Sequence, residues 1–193
     1  MFEKLRAYFD TKIDLTEEQF EIMRNAFTPK KLKKGEFLQR EGEWAKYGAF
    51  VVSVCLRSYV IDQNGKEHII QFAPENWWIA DFDSVLKKEP SRTFIDAISD
   101  SDILVSDFDS QQRLMEEIPE FGKSFRDGLQ RRTAAKDKRI VATMSATAEE
   151  RYRDFIKTYP TIAQMVPQHM VASYLGLSPE TISRIRKQMA KKP

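Results

Sequence analysis

Hydrophobic positions change their spacing along the chain, and each spacing predicts a different kind of element. Between Thr16 and Phe27, apolar Phe20, Ile22, Met23 and Phe27 follow at near-helical intervals. Thr16 with Gln19 three residues later has the form of a capping box, so a short helix is predicted there, ended by Pro29. From Lys31 to about Asp109, β-branched and aromatic runs are interrupted by Gly35, Gly42, Gly48 and Asn64-Gly65. Asn-Gly between YVID and KEHIIQF predicts a two-residue type I′ hairpin turn, because that turn needs positive φ at both central positions. Several short strands with closely spaced turns predict a small barrel or jelly-roll-like sandwich.

After Asp109 the period becomes helical. Gln111 to Met144 carries Phe121, Phe125 and Leu129 at steps of four, then Ile140, Val141 and Met144, with charges on the other faces. Such a stripe needs a partner, either the helix's own β-domain or the same helix of a second subunit; the dimer is the favoured reading. A further helix is predicted from Thr147 to Thr158, then a break at Tyr159-Pro160 and two short helices divided at Gly176. The chain therefore reads as α+β in three parts: a β-domain with an N-terminal helix over 1–110, a long helix over 111–144, and a small helical domain over 145–193.

Composition narrows what these parts can do. With 193 residues and 41% hydrophobic positions the chain can bury a sizeable core and a smaller second one. No stretch approaches the roughly 18 apolar residues of a membrane span, and the first residues, MFEKLRAYFDTK, are charged throughout, so no membrane partner and a cytoplasmic location are expected. The single cysteine, Cys55, lies in the apolar run VVSVCLRSYV and reads as a buried structural thiol; one thiol cannot hold an iron-sulfur cluster. The two histidines, His68 and His169, are too few for a histidine-rich metal centre, and no catalytic triad, Cys-His pair or phosphate-loop spacing is present. No metal, no cofactor and no enzymatic activity are expected.

The net charge of +2 hides an asymmetry. Residues 1–119 carry 16 Lys/Arg against 22 Asp/Glu, whereas residues 120–193 carry 15 against 7. A phosphate backbone would be repelled by the first part and attracted by the last.

Within that basic third, Gln168 to Lys187 reads QHMVASYLGLSPETISRIRK. A DNA-reading helix-turn-helix needs two helices crossed steeply, which fixes residue types at set offsets. Ala172 is small where the helices touch, Gly176 frees the turn, and Val171, Leu175, Leu177, Ile182 and Ile185 form an inward face. Ser178 can cap the second helix, with Pro179 at its first position. The outward face then presents Glu180, Thr181, Ser183, Arg184 and Lys187, with Arg186 at the flank. Arginine can donate twice to guanine and glutamate can accept from cytosine, so Glu180 and Arg184 are candidate base readers. Ser183, Arg186, Lys187, Lys191 and Lys192 suit phosphates.

With these residues in view, the chain resembles the cyclic-AMP receptor and fumarate-nitrate regulator (Crp/Fnr) family of bacterial transcription factors over nearly its whole length. LGLSPETISR is similar to the family's recognition helix, and LKKGEFLQREGE, with Gly35 and Gly42, looks like its β-roll turns. The resemblance implies a cyclic-nucleotide-binding-like β-roll, a long dimerisation helix and a C-terminal helix-turn-helix. Base-reading roles pass to Glu180, Ser183 and Arg184, and Pro179 stands where one branch of the family has another arginine. The implied partners are double-stranded DNA, a second copy, RNA polymerase and a small-molecule effector.

ENWWIADFDS is similar to the family's phosphate-binding cassette with departures: Ala80 replaces glycine and Asp81 replaces the glutamate that holds a ribose hydroxyl. The candidate ligand residues are Asp81, Arg92 and Thr93, yet the register of Ile95 and Ala97 puts Ser91 at the arginine's place. These departures weigh against a cyclic nucleotide; the plainer reading makes Arg92 a surface residue and Asp81 a local partner. Trp77 and Trp78 read as packing residues. The alternative function is a ligand-sensing module acting on a protein partner.

Overall fold

A computed structural model describes residues 1–190; Lys191 and Lys192 lie outside the described residues. Strands β1 (Thr28–Leu32), β2 (Phe37–Gln39), β3 (Tyr47–Val51), β4 (Cys55–Ile61), β5 (Glu67–Pro74), β6 (Trp78–Ile79), β7 (Phe94–Ala97) and β8 (Ser101–Asp107) form two antiparallel four-stranded sheets, ordered β1-β8-β3-β6 and β2-β7-β4-β5. Leu32, Val51, Leu56, Ile79, Ile95 and Ile103 interlock between them. Alternation along β4 sends Leu56 into this core while Cys55 and Tyr59 emerge on the opposite face, where the C-terminal helices cover them. The first five residues of β4 are therefore buried on both faces. Arg57, on the covered face and 7% exposed, is accommodated by a paired hydrogen bond to Asp96 at 2.8 and 3.0 Å and by Glu67 at 2.6 Å.

Helix α1 (Phe2–Asp10), which the charged reading of the N-terminus did not predict, buries Leu5 and Phe9. It packs with Phe50, Leu104 and Phe121 into a core of its own. Helix α2 (Glu17–Asn25) has the predicted capping box, with the Thr16 hydroxyl accepting the Gln19 N–H at 3.2 Å. Pro29 does not end it. The helix stops four residues earlier, and Pro29 sits in β1, an edge strand where a missing N–H is tolerated.

The Asn64-Gly65 turn also departs from expectation, since only Gly65 has positive φ (+77°). Asp62 Oδ1 accepts the Asn64 and Lys66 N–H groups at 2.9 and 3.0 Å, and the Gly65 N–H donates to the Asp62 carbonyl at 2.9 Å. A carboxylate that collects two backbone donors favours a three-residue loop with a left-handed glycine over the two-residue turn.

Helix α3 (Phe82–Lys87) spans the gap between β6 and β7. The single helix expected over 111–144 is two: α4 (Phe108–Glu117), capped by Asp107, and α5 (Pro119–Ser145). Ile118, at φ −129° and ψ 86°, is held out of the helical region because a proline follows it. The 27 residues of α5 extend for about 40 Å. Phe121 and Phe125 pack on Phe9, Trp78 and Phe82 of the same chain, whereas Ile140, Val141 and Met144 are 56%, 60% and 83% exposed. The apolar stripe thus has two fates.

Helices α6 (Ala148–Thr158), α7 (Pro160–Met165), α8 (Gln168–Leu175) and α9 (Pro179–Met189) form the C-terminal domain, docked on the covered face of the β2-β7-β4-β5 sheet. Phe155, Ile162, Val171 and Ala172 meet Cys55, Tyr59, Ile69 and Phe72 there. Among the described residues, no helix is long and apolar enough to cross a membrane.

Candidate nucleic-acid interface

The α8–α9 pair is held by local chemistry at every joint. Gly176 ends α8 in the left-handed region (φ 64°, ψ 38°), which lets the Leu177 N–H return to the Ala172 carbonyl at 2.9 Å. Ser178 caps α9 by accepting the Thr181 N–H at 3.2 Å, and Pro179 occupies the first position, where no N–H is needed. Val171, Ala172, Leu175, Ile182 and Ile185 are buried, with Leu177 half-buried, so the predicted inward face is inward. Arg151 of α6, which the sequence did not single out, donates to the Leu175 carbonyl at 2.7 Å and satisfies the C-terminal end of α8.

Glu180, Arg184, Arg186 and Lys187 are exposed, and among the described residues none of them enters an ion pair. Four and seven residues separate Glu180 from Arg184 and Lys187, which places all three on one side of α9. That side, with Ser183, Pro179, Gln168 and Gln188, lines a shallow depression. Glu180 is held below the usual carboxylate range by a backbone N–H of its own and by the Ser178 hydroxyl, so it stays an acceptor. Thr181 is half-buried and lies 3.1 Å from the Ser178 hydroxyl, which makes it part of the cap more than of the outer face.

The β-roll residues are arranged differently from a ligand site. Asp81 is the N-cap of α3, accepting the Asp83 and Ser84 N–H groups at 3.1 and 3.3 Å through Oδ1. Its Oδ2 accepts the Ser91 and Thr93 hydroxyls at 2.5 and 3.1 Å. Both oxygens are occupied by the chain itself, and Arg92 is exposed and is not among the partners of Asp81 or Thr93. The three candidate ligand residues therefore do not converge on a free site, because the Ser91 that stands in the arginine's place closes the loop internally.

Other candidates have structural partners. Trp78 packs among Tyr8, Phe9, Phe27, Phe50 and Phe125, and Trp77 meets Tyr159 of the C-terminal domain edge-on. Cys55 is fully buried, which pushes its thiol up to about 12. His68 pairs with Asp62 at 2.8 Å. Among the described residues, no group of three or more His, Cys, Asp or Glu side chains could hold a metal ion.

Residues 29–117 match the family model of the cyclic nucleotide-binding domain. No curated protein sequence matches the chain. Among solved structures, FixK2 from Bradyrhizobium japonicum is similar with a TM-score of 0.74 and 19% identity, over 86% of this chain and 85% of that one. The c-di-GMP-responsive global regulator CLP of Xanthomonas campestris gives 0.73 at 10% identity, over 91% and 92%. A Crp/Fnr-family regulator from Eubacterium rectale gives 0.70 at 17%, over 95% and 88%. The match over residues 29–117 and these likenesses show the fold: a β-roll similar to the cyclic nucleotide-binding domain, a long helix and a C-terminal helix-turn-helix, arranged as in the Crp/Fnr regulators.

Proposed function

We infer that this protein is a sequence-specific DNA-binding transcription regulator acting as a homodimer on a pseudo-palindromic operator. The observation that carries the reading is the outer side of α9: Glu180, Arg184 and Lys187 stand in line, exposed and without ion-pair partners among the described residues, on a helix whose opposite side is anchored by Ile182 and Ile185. Arg184 and Glu180 read base edges, with Ser183 beside them; Arg186, Lys187 and the hydroxyl of Ser178 meet phosphates. Thr181 supports the cap. The exposed Ile140, Val141 and Met144 supply the seam for a second α5, which sets two recognition helices about 34 Å apart in successive major grooves.

Asp81 and Thr93 being spent on each other supports a β-roll that does not take a cyclic nucleotide through its cassette. No catalytic role is assigned to any residue. Selection of binding sites from random DNA, followed by gel shift on the enriched sequence, tests the reading. A palindromic enriched site bound with steep salt dependence supports it; a monomeric chain indifferent to DNA ends it.

A further inference from the structure

A crevice at the meeting point of β5, α5 and the C-terminal domain is lined by three cations and by no carboxylate. Arg132, Lys136 and Arg139 lie at helical spacing on α5, so they share one side of it. Arg132 Nη2 donates to Gln71 Oε1 at 2.7 Å, and Arg139 Nη1 donates to the Ile70 carbonyl at 2.9 Å. Their anchors are consecutive residues of β5, so two arginines rooted about 10 Å apart along the helix lean toward one another. Gln71 is itself fixed, its amide donating to the Trp78 carbonyl at 3.0 Å.

Lys136 stands between them, and among the described residues it has no hydrogen-bond or ion-pair partner. Burial and the charges of Arg132 and Arg139 push its amine below the usual range. Asp81, whose field reaches Lys136, is already taken up by Ser91, Thr93 and the α3 cap. Converging like charges in a partly dry crevice are unfavourable unless an anion joins them. The opposite wall is aromatic and belongs to the C-terminal domain: Tyr159, and Tyr174 with its ring 4.3 Å from the Arg139 guanidinium. The cavity of about 40 Å³ has room for a small head group between the three cations.

We propose that this crevice binds a small oxyanion, a phosphate or carboxylate group, between Arg132, Lys136 and Arg139, and that its occupancy biases how the C-terminal domain sits against α5 and the β-roll. The second half of this statement rests on the DNA-binding reading above. A ligand can move such an equilibrium only through differential affinity, and a site walled by three elements loses its aromatic side when the domain shifts.

Calorimetric titration of the full chain tests it, with inorganic phosphate and succinate as separate arms in chloride buffer of constant ionic strength. Saturable binding of at least one anion is expected, weakened about tenfold or more in Lys136→Gln, a change that removes no hydrogen bond or ion pair among the described residues. Arg132→Gln should abolish it. Which arm saturates distinguishes phosphate from carboxylate. Absence of saturation by either anion through the millimolar range, or equal affinity in Lys136→Gln, would overturn the site. So would dimer loss in Lys136→Gln without anion binding, which would assign the cations to a second copy's carboxylate. Gel shifts with and without the saturating anion complete the experiment. A changed DNA affinity in the wild type but not in Lys136→Gln supports the coupling, and an unchanged one removes it. Anion binding by a chain that ignores DNA would leave the site standing and defeat the functional reading alone.

Discussion

The Ser173 hydroxyl accepts the Ile69 N–H at 3.0 Å, tying the first helix of the helix-turn-helix to the edge of the β-roll. The same hydroxyl donates to the Glu67 carbonyl at 2.8 Å, so one side chain serves two backbone groups of β5. β5 is the outer strand of its sheet, and its free side would otherwise expose an unpaired donor. Ser173→Ala leaves the Ile69 N–H without this partner and should cost about 1–3 kcal/mol. Urea unfolding of the full chain measures it. A loss within a few tenths of a kcal/mol would show that water replaces the hydroxyl without penalty.

Much of the recognition motif was legible because its determinants are local. Ala172, Gly176, Ser178 and Pro179 each act on backbone within a few residues, and all of them occupy the roles their spacing predicts. What the sequence hid depends on distant partners. Asp81 meets Ser91 and Thr93 across a helix, and Arg57 meets Asp96 39 positions away. Arg132, Lys136 and Arg139 are three charges among many on a long helix in the sequence, because only folding brings Gln71 and Tyr174 against them. Helix α1 is not legible in the sequence although Leu5 and Phe9 are four apart, since two buried positions among charges give a weak period. Asn64-Gly65 misled because the nearby Asp62 carboxylate outcompetes the dipeptide's own preference.

The assigned roles on α9 separate by experiment. Arg184→Ala should cost about 1–3 kcal/mol on the preferred site and relax base choice at one position of each half-site. Lys187→Ala should weaken all sequences alike and lower the slope of log K against log salt by about 1. Quantitative gel shifts on the selected site and on random DNA, at several salt concentrations, read both. Equal losses on the two DNAs for Arg184→Ala would remove it from base recognition.

Gly48 is needed for space and not for its backbone angles. A Cβ placed on it would come within 2.5 Å of Gln111 Nε2. Gln111 is 3% exposed, and its amide donates to the Ser106 carbonyl at 2.9 Å, so the side chain cannot swing aside without losing that bond. Gly48→Ala should therefore destabilise by about 1–3 kcal/mol through overpacking at the junction of β3 and α4. The double variant with Gln111→Ala should lose less than the sum of the two single variants. Strict additivity in the unfolding free energies would show that the two positions do not compete for the same volume.

The hairpin between β4 and β5 should loosen at an unusually low pH. The Asp62 carboxyl is held at about 2 by its hydrogen bond with His68 and by the Lys66 and Asn64 N–H groups. In the unfolded chain such a carboxyl titrates near about 3.9, so the folded value is depressed. The contribution is then fully present above about pH 4 and is lost as pH falls through about 2, the direction required when folding favours the ionised form. Because Asp62 is at the surface, the loss is local to the turn. Backbone amide resonances of Asn64 and Lys66 should move with a midpoint near about 2, and should lose that inflection in Asp62→Ala. A midpoint near the ordinary carboxylate value would mean that the turn is held by Gly65 and backbone bonds alone, with the carboxylate a bystander.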